Sequence, residues 1–117
     1  MHDGEGSNNT YIYDFIKSTW DKVKASPEIP RLDSHSAFVV GDTMYIYGGF
    51  KDKQACYSSN IYALDLINNT WSTFYTPNKT APAPEARGNV GLAVYKDHVW
   101  VFGGTNGTKT LNDLWKF

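Results

Sequence analysis

An all-β fold made of repeated four-stranded units is predicted by three observations on this sequence. A block of residues recurs at a nearly fixed distance, the stretches between turn residues read as short strands, and no segment carries a helical stripe. The recurrence is direct. Asn9-Thr10-Tyr11-Ile12-Tyr13-Asp14 and the following residues to Trp20 align without gaps on Asn60 to Trp71, an offset of 51. Pro30-Arg31 with Gly48-Gly49 recurs as Ala86-Arg87 with Gly103-Gly104, at offsets of 56 and 55, and Tyr62 recurs as Trp115, 53 residues on. A period that wobbles only at connections describes fixed strands with variable loops.

Taken in order, residues 1–8 are polar and read as a disordered tail. Residues 9–24 hold the last two strands, C and D, of a partial unit. Residues 25–75 hold a loop and one complete unit. Its strand A is Ser36-Ala37-Phe38-Val39-Val40, a continuous apolar run suited to burial on both faces. Gly41-Asp42 turns it into strand B, Met44 to Tyr47, which stops at Gly48-Gly49. Strand C is Ile61 to Leu66, Asn68-Asn69 forms the next turn, and strand D runs from Trp71 to about Tyr75. Residues 76–117 hold a loop, strand A from Val90 to Tyr95, the Lys96-Asp97 turn, strand B from His98 to Phe102, and the start of strand C.

A four-stranded unit of about 50 residues with Gly-Gly after strand B, Asp in strand C and Trp in strand D resembles the kelch repeat, a blade of a β-propeller. The residues that carry the resemblance in the complete unit are Arg31, His35-Ser36, Gly41-Asp42, Tyr45, Gly48-Gly49, Tyr62, Asp65 and Trp71. In the following unit they are Arg87, Trp100, Gly103-Gly104 and Trp115, and in the preceding one Tyr11, Asp14 and Trp20. The second unit departs in having Asn89-Val90 for His35-Ser36. The resemblance implies a fragment of about two blades, with Phe117 at the position of Leu64. It also implies association with further blades or with other copies of the chain, three copies making six blades.

Composition narrows the function. Eleven Lys plus Arg against twelve Asp plus Glu leave a net charge of −1, which opposes a nucleic-acid or anionic-membrane surface. No apolar run approaches the roughly 20 residues that span a bilayer. With one cysteine, Cys56, no intrachain disulfide can form, and a free surface thiol is expected. The two Gly-Gly pairs end strands and open no helix, so they serve close backbone packing and not phosphate binding. Asp14 and Asp65 occupy one repeat position and are expected to accept local backbone hydrogen bonds. Trp20, Trp71 and Trp115 read as packing between blades. His2, His35 and His98 do not converge, so no metal or cofactor is expected. Four Asn-x-Thr sequons, at Asn8, Asn68, Asn78 and Asn106, favour secretion, whereas the missing signal and lone cysteine favour a cytoplasmic protein.

The topology directs attention to one face. The A–B and C–D turns are tight, while the B–C connections (Phe50 to about Ser59, Thr105 to about Leu111) and D–A connections (Ala25 to Asp33, Thr76 to Ala86) are long and share one end of the blades. That end collects Arg31, Arg87, Lys51, Lys53, Lys79 and Lys109, with Tyr57 as an aromatic contact, while Glu28, Asp33, Asp52 and Glu85 temper the charge. The expected function is a non-catalytic scaffold that grips a protein partner there, the arginines anchoring an acidic group. A second role is open to Arg31 and Arg87, tying adjacent blades together by hydrogen bonds. The alternative function is part of a kelch-propeller enzyme, of oxidase, epimerase or specifier type, whose site spans further blades.

Overall fold

The structure, a computed structural model, describes residues 6–117. Every regular element among them is a β-strand. In chain order these are β1 (Thr10–Asp14), β2 (Thr19–Val23), β3 (Leu32–Asp33), β4 (Ser36–Val40), β5 (Thr43–Tyr47) and β6 (Phe50–Lys51). Then follow β7 (Cys56–Tyr57), β8 (Ile61–Asp65), β9 (Thr70–Tyr75), β10 (Gly91–Tyr95), β11 (His98–Thr105) and β12 (Thr110–Lys116). The complete blade is the antiparallel sheet β4-β5-β8-β9, strands A to D in order. The next blade supplies β10-β11-β12, and the preceding one the β1-β2 hairpin.

The alternation of side chains along a strand explains where the core sits. Ile46 and Tyr47 are neighbours on β5 and point to opposite faces. Ile46 joins Leu32, Tyr62, Leu64 and Trp71 in one buried cluster, over which Ala25 and Ile29 of the incoming loop pack. Tyr47 joins Ile61 and Val101 in a second, which fills the space between the two larger sheets with Tyr75, Leu92, Trp115 and Phe117 around it. The central strands of the complete blade are thus covered on both sides, and Ile61 to Leu64 are all buried. Strand A differs from the expectation of two buried faces. Val39, Val40 and Val94 are exposed. The reason is position: β4 and β10 are edge strands that lie side by side, so only alternate residues such as Phe38 and Leu92 find neighbours. Phe38 stacks on Tyr45 with ring centroids 5.0 Å apart.

Three further expectations are revised. Of the disordered tail expected over residues 1–8, residues 6–8 are tied to the blade: the Gly6 N–H donates to the Asp52 carboxylate, Ser7 bridges to Leu32, and the Asn8 amide donates to the Ile29 carbonyl at 3.2 Å. Residues 1–5, including His2, lie outside the described residues. The connection Phe50 to Ser59 is not open loop, because β6 and β7 pair with each other and with β3 in a small sheet of their own. The connection Thr105 to Leu111 is no long loop either. Strands β11 and β12 run on to Thr105 and from Thr110, closed by a turn in which Asn106 Oδ1 accepts from the N–H groups of Thr108 and Lys109 at 2.9 Å each.

Turn chemistry fixes the other ends. Asp65 Oδ1 accepts the N–H groups of Ile67 and Asn68 at 2.8 and 3.0 Å, and Asp14 repeats this with Ile16 and Lys17 at 2.8 and 2.9 Å. Backbone and side-chain donors of Asn68, with the N–H of Ile67, hold the exposed Asp65 carboxyl below its usual range.

Candidate partner-binding face

The junction between the complete blade and the next is built on Gly48-Gly49 and Arg87. The Gly49 N–H donates to the Arg87 carbonyl at 2.9 Å, and the Arg87 N–H donates to the Ser58 carbonyl at 3.2 Å. Two more bonds run beside them, Asn89 N–H to the Ser34 carbonyl at 2.8 Å and the Ser36 hydroxyl to the Val90 carbonyl at 3.0 Å. While its main chain holds one blade, the Arg87 side chain holds the other. Its guanidinium forks onto Asp113 of β12 at 2.6 and 2.9 Å, donates to the Gly103 carbonyl at 3.0 Å, and through Nε to the Glu85 carbonyl at 3.0 Å. Arg87 is completely buried, so its place on the binding face is corrected: it is the hydrogen-bonded tie between blades that was the second role open to it.

The charge follows the geometry. The hydrogen bonds from Arg87, then that from the Trp115 indole at 2.7 Å, hold the Asp113 carboxyl far below the ordinary carboxylate range. The bond to Asp113 correspondingly raises Arg87 against the opposing effect of burial. Burial pushes the Tyr47 phenol up to about 12. A carboxyl depressed in the folded state stabilises the fold above its unfolded pKa of about 4, and that contribution is lost as pH falls through the folded value. Thermal unfolding of the wild type and of Asp113→Asn should therefore differ most above about pH 5 and converge on acidification toward about pH 2. A constant gap across that range would exclude the assigned titration.

The structure also revises the repeat alignment. Asp33 pairs with Phe50 as Gly88 bridges to Thr105, and Ser34 and Asn89 share a left-handed backbone, with φ of 57° and 55°. The residue equivalent to Arg87 is therefore Leu32, only 3% exposed, and not Arg31. Opposite it, Asp113 precedes Trp115 by two residues as Asn60 precedes Tyr62, and these strands share one register with their B-strand partners. One blade thus buries leucine beside a neutral asparagine position where the next buries an arginine paired with a half-exposed carboxylate. The signal was present in the constant offset of 55 set by Gly48-Gly49 and Gly103-Gly104.

Freed from that equivalence, Arg31 is exposed and shares a cleft of about 240 Å³ with Lys53, lined also by Glu28, Asn8 and Gln54. Lys51 is half-buried on β6, paired with Leu32 and Cys56. Lys79 is exposed on the connection from β9 to β10, and Lys109 is exposed in the turn before β12. Neither lines the Arg31–Lys53 cleft. Tyr57 is half-buried. Its ring meets Phe50 edge-on at 5.2 Å between centroids and lies against Gly88 and Gly107 of the next blade. Cys56 beside it is a free, exposed thiol. Of the aromatic motif residues, Trp71 and Tyr62 are buried in the first cluster and Trp115 packs on the second. Trp20 stands apart: it is 69% exposed and contacts Tyr13 within its own hairpin at 5.1 Å. Asn106 and Asp113 took no part in the sequence reading of this face.

Four-stranded antiparallel units joined through a Gly-Gly corner and stacked face to face define kelch-type propeller blades. Comparison with known proteins agrees. The KLHDC2/KLHL20/DRC7 Kelch-repeats domain family matches residues 1–117, and the chain belongs to that family. It is 35% identical over 105 residues to Kelch domain-containing protein 3 of Homo sapiens, and 34% identical over 105 residues to that of Bos taurus, covering 88% of this chain in each case. It is also 31% identical over 101 residues, 85% of its length, to N-(sulfonatooxy)prop-2-enimidothioate sulfolyase of Thlaspi arvense. The chain spans 27% of the length of the Kelch domain-containing proteins and 28% of the sulfolyase.

Proposed function

We infer that this kelch chain is a non-catalytic interaction scaffold that binds a protein partner through the face bearing the B–C and D–A connections. The observation that carries the reading is the cleft where Arg31 and Lys53 come together on that face. Two cations on separate loops, held by the small β3-β6-β7 sheet, offer a fixed site for an acidic side chain or terminus. A cytoplasmic setting goes with this reading, and neither nucleic acid nor membrane enters it. A fluorescent hexaglutamate peptide is the direct probe. It should bind in low salt, weaken about tenfold in the Arg31→Glu, Lys53→Glu double variant, and stay within about twofold in Lys79→Glu. Equal binding by all three proteins would sink the reading.

The relative from Thlaspi arvense favours a second reading, part of a lyase-type propeller whose site gathers residues from several blades. Conversion of a thiohydroximate O-sulfate by the purified protein, with release of sulfate, would establish it and displace the scaffold reading.

A further inference from the structure

A second cleft, of about 430 Å³, opens among the same B–C and D–A connections, with the Tyr57 ring in its wall. Its walls come from both blades: Phe50, Cys56 and Tyr57 from the complete one, Asn106 and Gly107 from the next, and Glu85 from the connection between them. Its chemistry differs from that of the Arg31–Lys53 cleft, where two cations stand with Glu28. The lining carries one formal charge, the Glu85 carboxylate, and two aromatic rings set edge to face. Glu85 is exposed, and its position is fixed at both ends. Its carbonyl accepts from buried Arg87, and its Oε2 accepts from the Asn106 amide at 2.8 Å. That leaves Oε1 for a ligand. The Gly107 backbone gives the Tyr57 ring the room to stand against this wall, since a Cβ there would sit 3.2 Å from the ring.

A carboxylate beside aromatic surface fits a cation that is planar and weakly hydrated. Guanidinium meets both needs, because it forks onto a carboxylate and stacks on rings, whereas ammonium keeps its water more strongly. We propose that this cleft receives an arginine side chain of the protein partner, Glu85 taking the guanidinium and the aromatic wall at Tyr57 its flat face. The proposal rests on the reading of this face as a protein-binding one, and gives the partner a stated pattern: an acidic group for Arg31–Lys53 and an arginine for the Glu85 cleft.

The test uses N-acetyl-arginine amide and its neutral analogue N-acetyl-citrulline amide, titrated into the ¹⁵N-labelled chain. The arginine probe should shift the backbone amides of Tyr57, Glu85 and Gly107 saturably, and slow alkylation of Cys56 in the same wall. Citrulline should do neither. Glu85→Gln, which removes the charge but can still accept from Asn106, should weaken the arginine probe about fivefold while resonances outside the cleft stay in place. Equal responses to the two probes, shifts centred elsewhere, or no change in Glu85→Gln would overturn the proposal. The two readings fail separately. Loss of the arginine response with hexaglutamate binding intact removes only the arginine site. The converse removes the Arg31–Lys53 reading and leaves this cleft as a guanidinium site.

Discussion

Asp113→Asn is expected to destabilise the chain by about 2–3 kcal/mol, and Arg87→Leu by a comparable amount, while the double variant recovers most of the loss. The single changes each leave one half of a hydrogen-bonded ion pair at the blade junction. Removing one member of a buried pair costs roughly 3–5 kcal/mol. The lower figure applies because the Asp113 side chain is 39% exposed and water screens it. Asp113→Asn leaves the fully buried guanidinium without its counter-charge. Arg87→Leu removes the donors to the carbonyls of Gly103 and Glu85 as well as to the carboxylate. The double variant copies what the complete blade already does with Leu32 and Asn60 at the equivalent places. Buried apolar replacements of ion pairs are often neutral or stabilising. A double-mutant cycle by urea unfolding should therefore give a coupling energy above about 1 kcal/mol. Additive losses would show that the pair does not act as a unit and that the equivalence of the two blades is superficial.

That equivalence marks the boundary of what the sequence made legible. The strands, their order and the turns were readable, because Gly-Gly, Asp65 with Asn68-Asn69, and the short apolar runs each have a local physical cause. The burial of Arg87 was not, and the reason is a slip of a single residue. An offset of 56 pairs Arg31 with Arg87, whereas 55 pairs Leu32 with it. In extended chain a one-residue shift moves a side chain from one face to the other, so the two alignments assign opposite environments to the same residue. Arginine at the surface is the ordinary expectation. Its burial depends on Asp113, 26 residues further on, which supplies the counter-charge.

The loop face was legible as a location and not as chemistry. Long B–C and D–A connections identified it, and Arg31 with Lys53 came together there. Strands β6 and β7 have two residues each, too short for any period to appear in sequence, yet they set which side chains face which cleft. Glu85 was read as tempering the charge of the face. The fold sets it apart from Arg31 and Lys53, which share their cleft with Glu28, and places it in a second cleft with Tyr57 in the wall. Lys79 and Lys109, counted with Arg31 from sequence, occupy connections that do not reach Lys53. Local separation of charge depends on three-dimensional placement that net charge averages away.

Gly48→Ala should cost about 3 kcal/mol, far more than its chemistry suggests, and the cause lies in the neighbouring blade. Gly48 adopts φ of 71°, where a side chain alone costs about 1–2 kcal/mol. A Cβ at this position would meet the Arg87 carbonyl oxygen, inside the 3.0 Å that real Cβ atoms essentially never breach. Backbone cannot swing aside as a flexible side chain can, so the clash separates the blades or twists the corner. The same carbonyl accepts the Gly49 N–H, and moving it breaks that bond too. Gly41→Ala is the control for backbone strain, because Gly41 has φ of 58° with nothing within 4 Å of its added Cβ. It should cost about 1 kcal/mol, the strain alone. The excess in Gly48→Ala over Gly41→Ala measures how tightly one blade is stitched to the next. Equal losses from the two substitutions would place the purpose of the Gly-Gly corner within its own sheet, and the Arg87 main chain would lose its part in joining the blades.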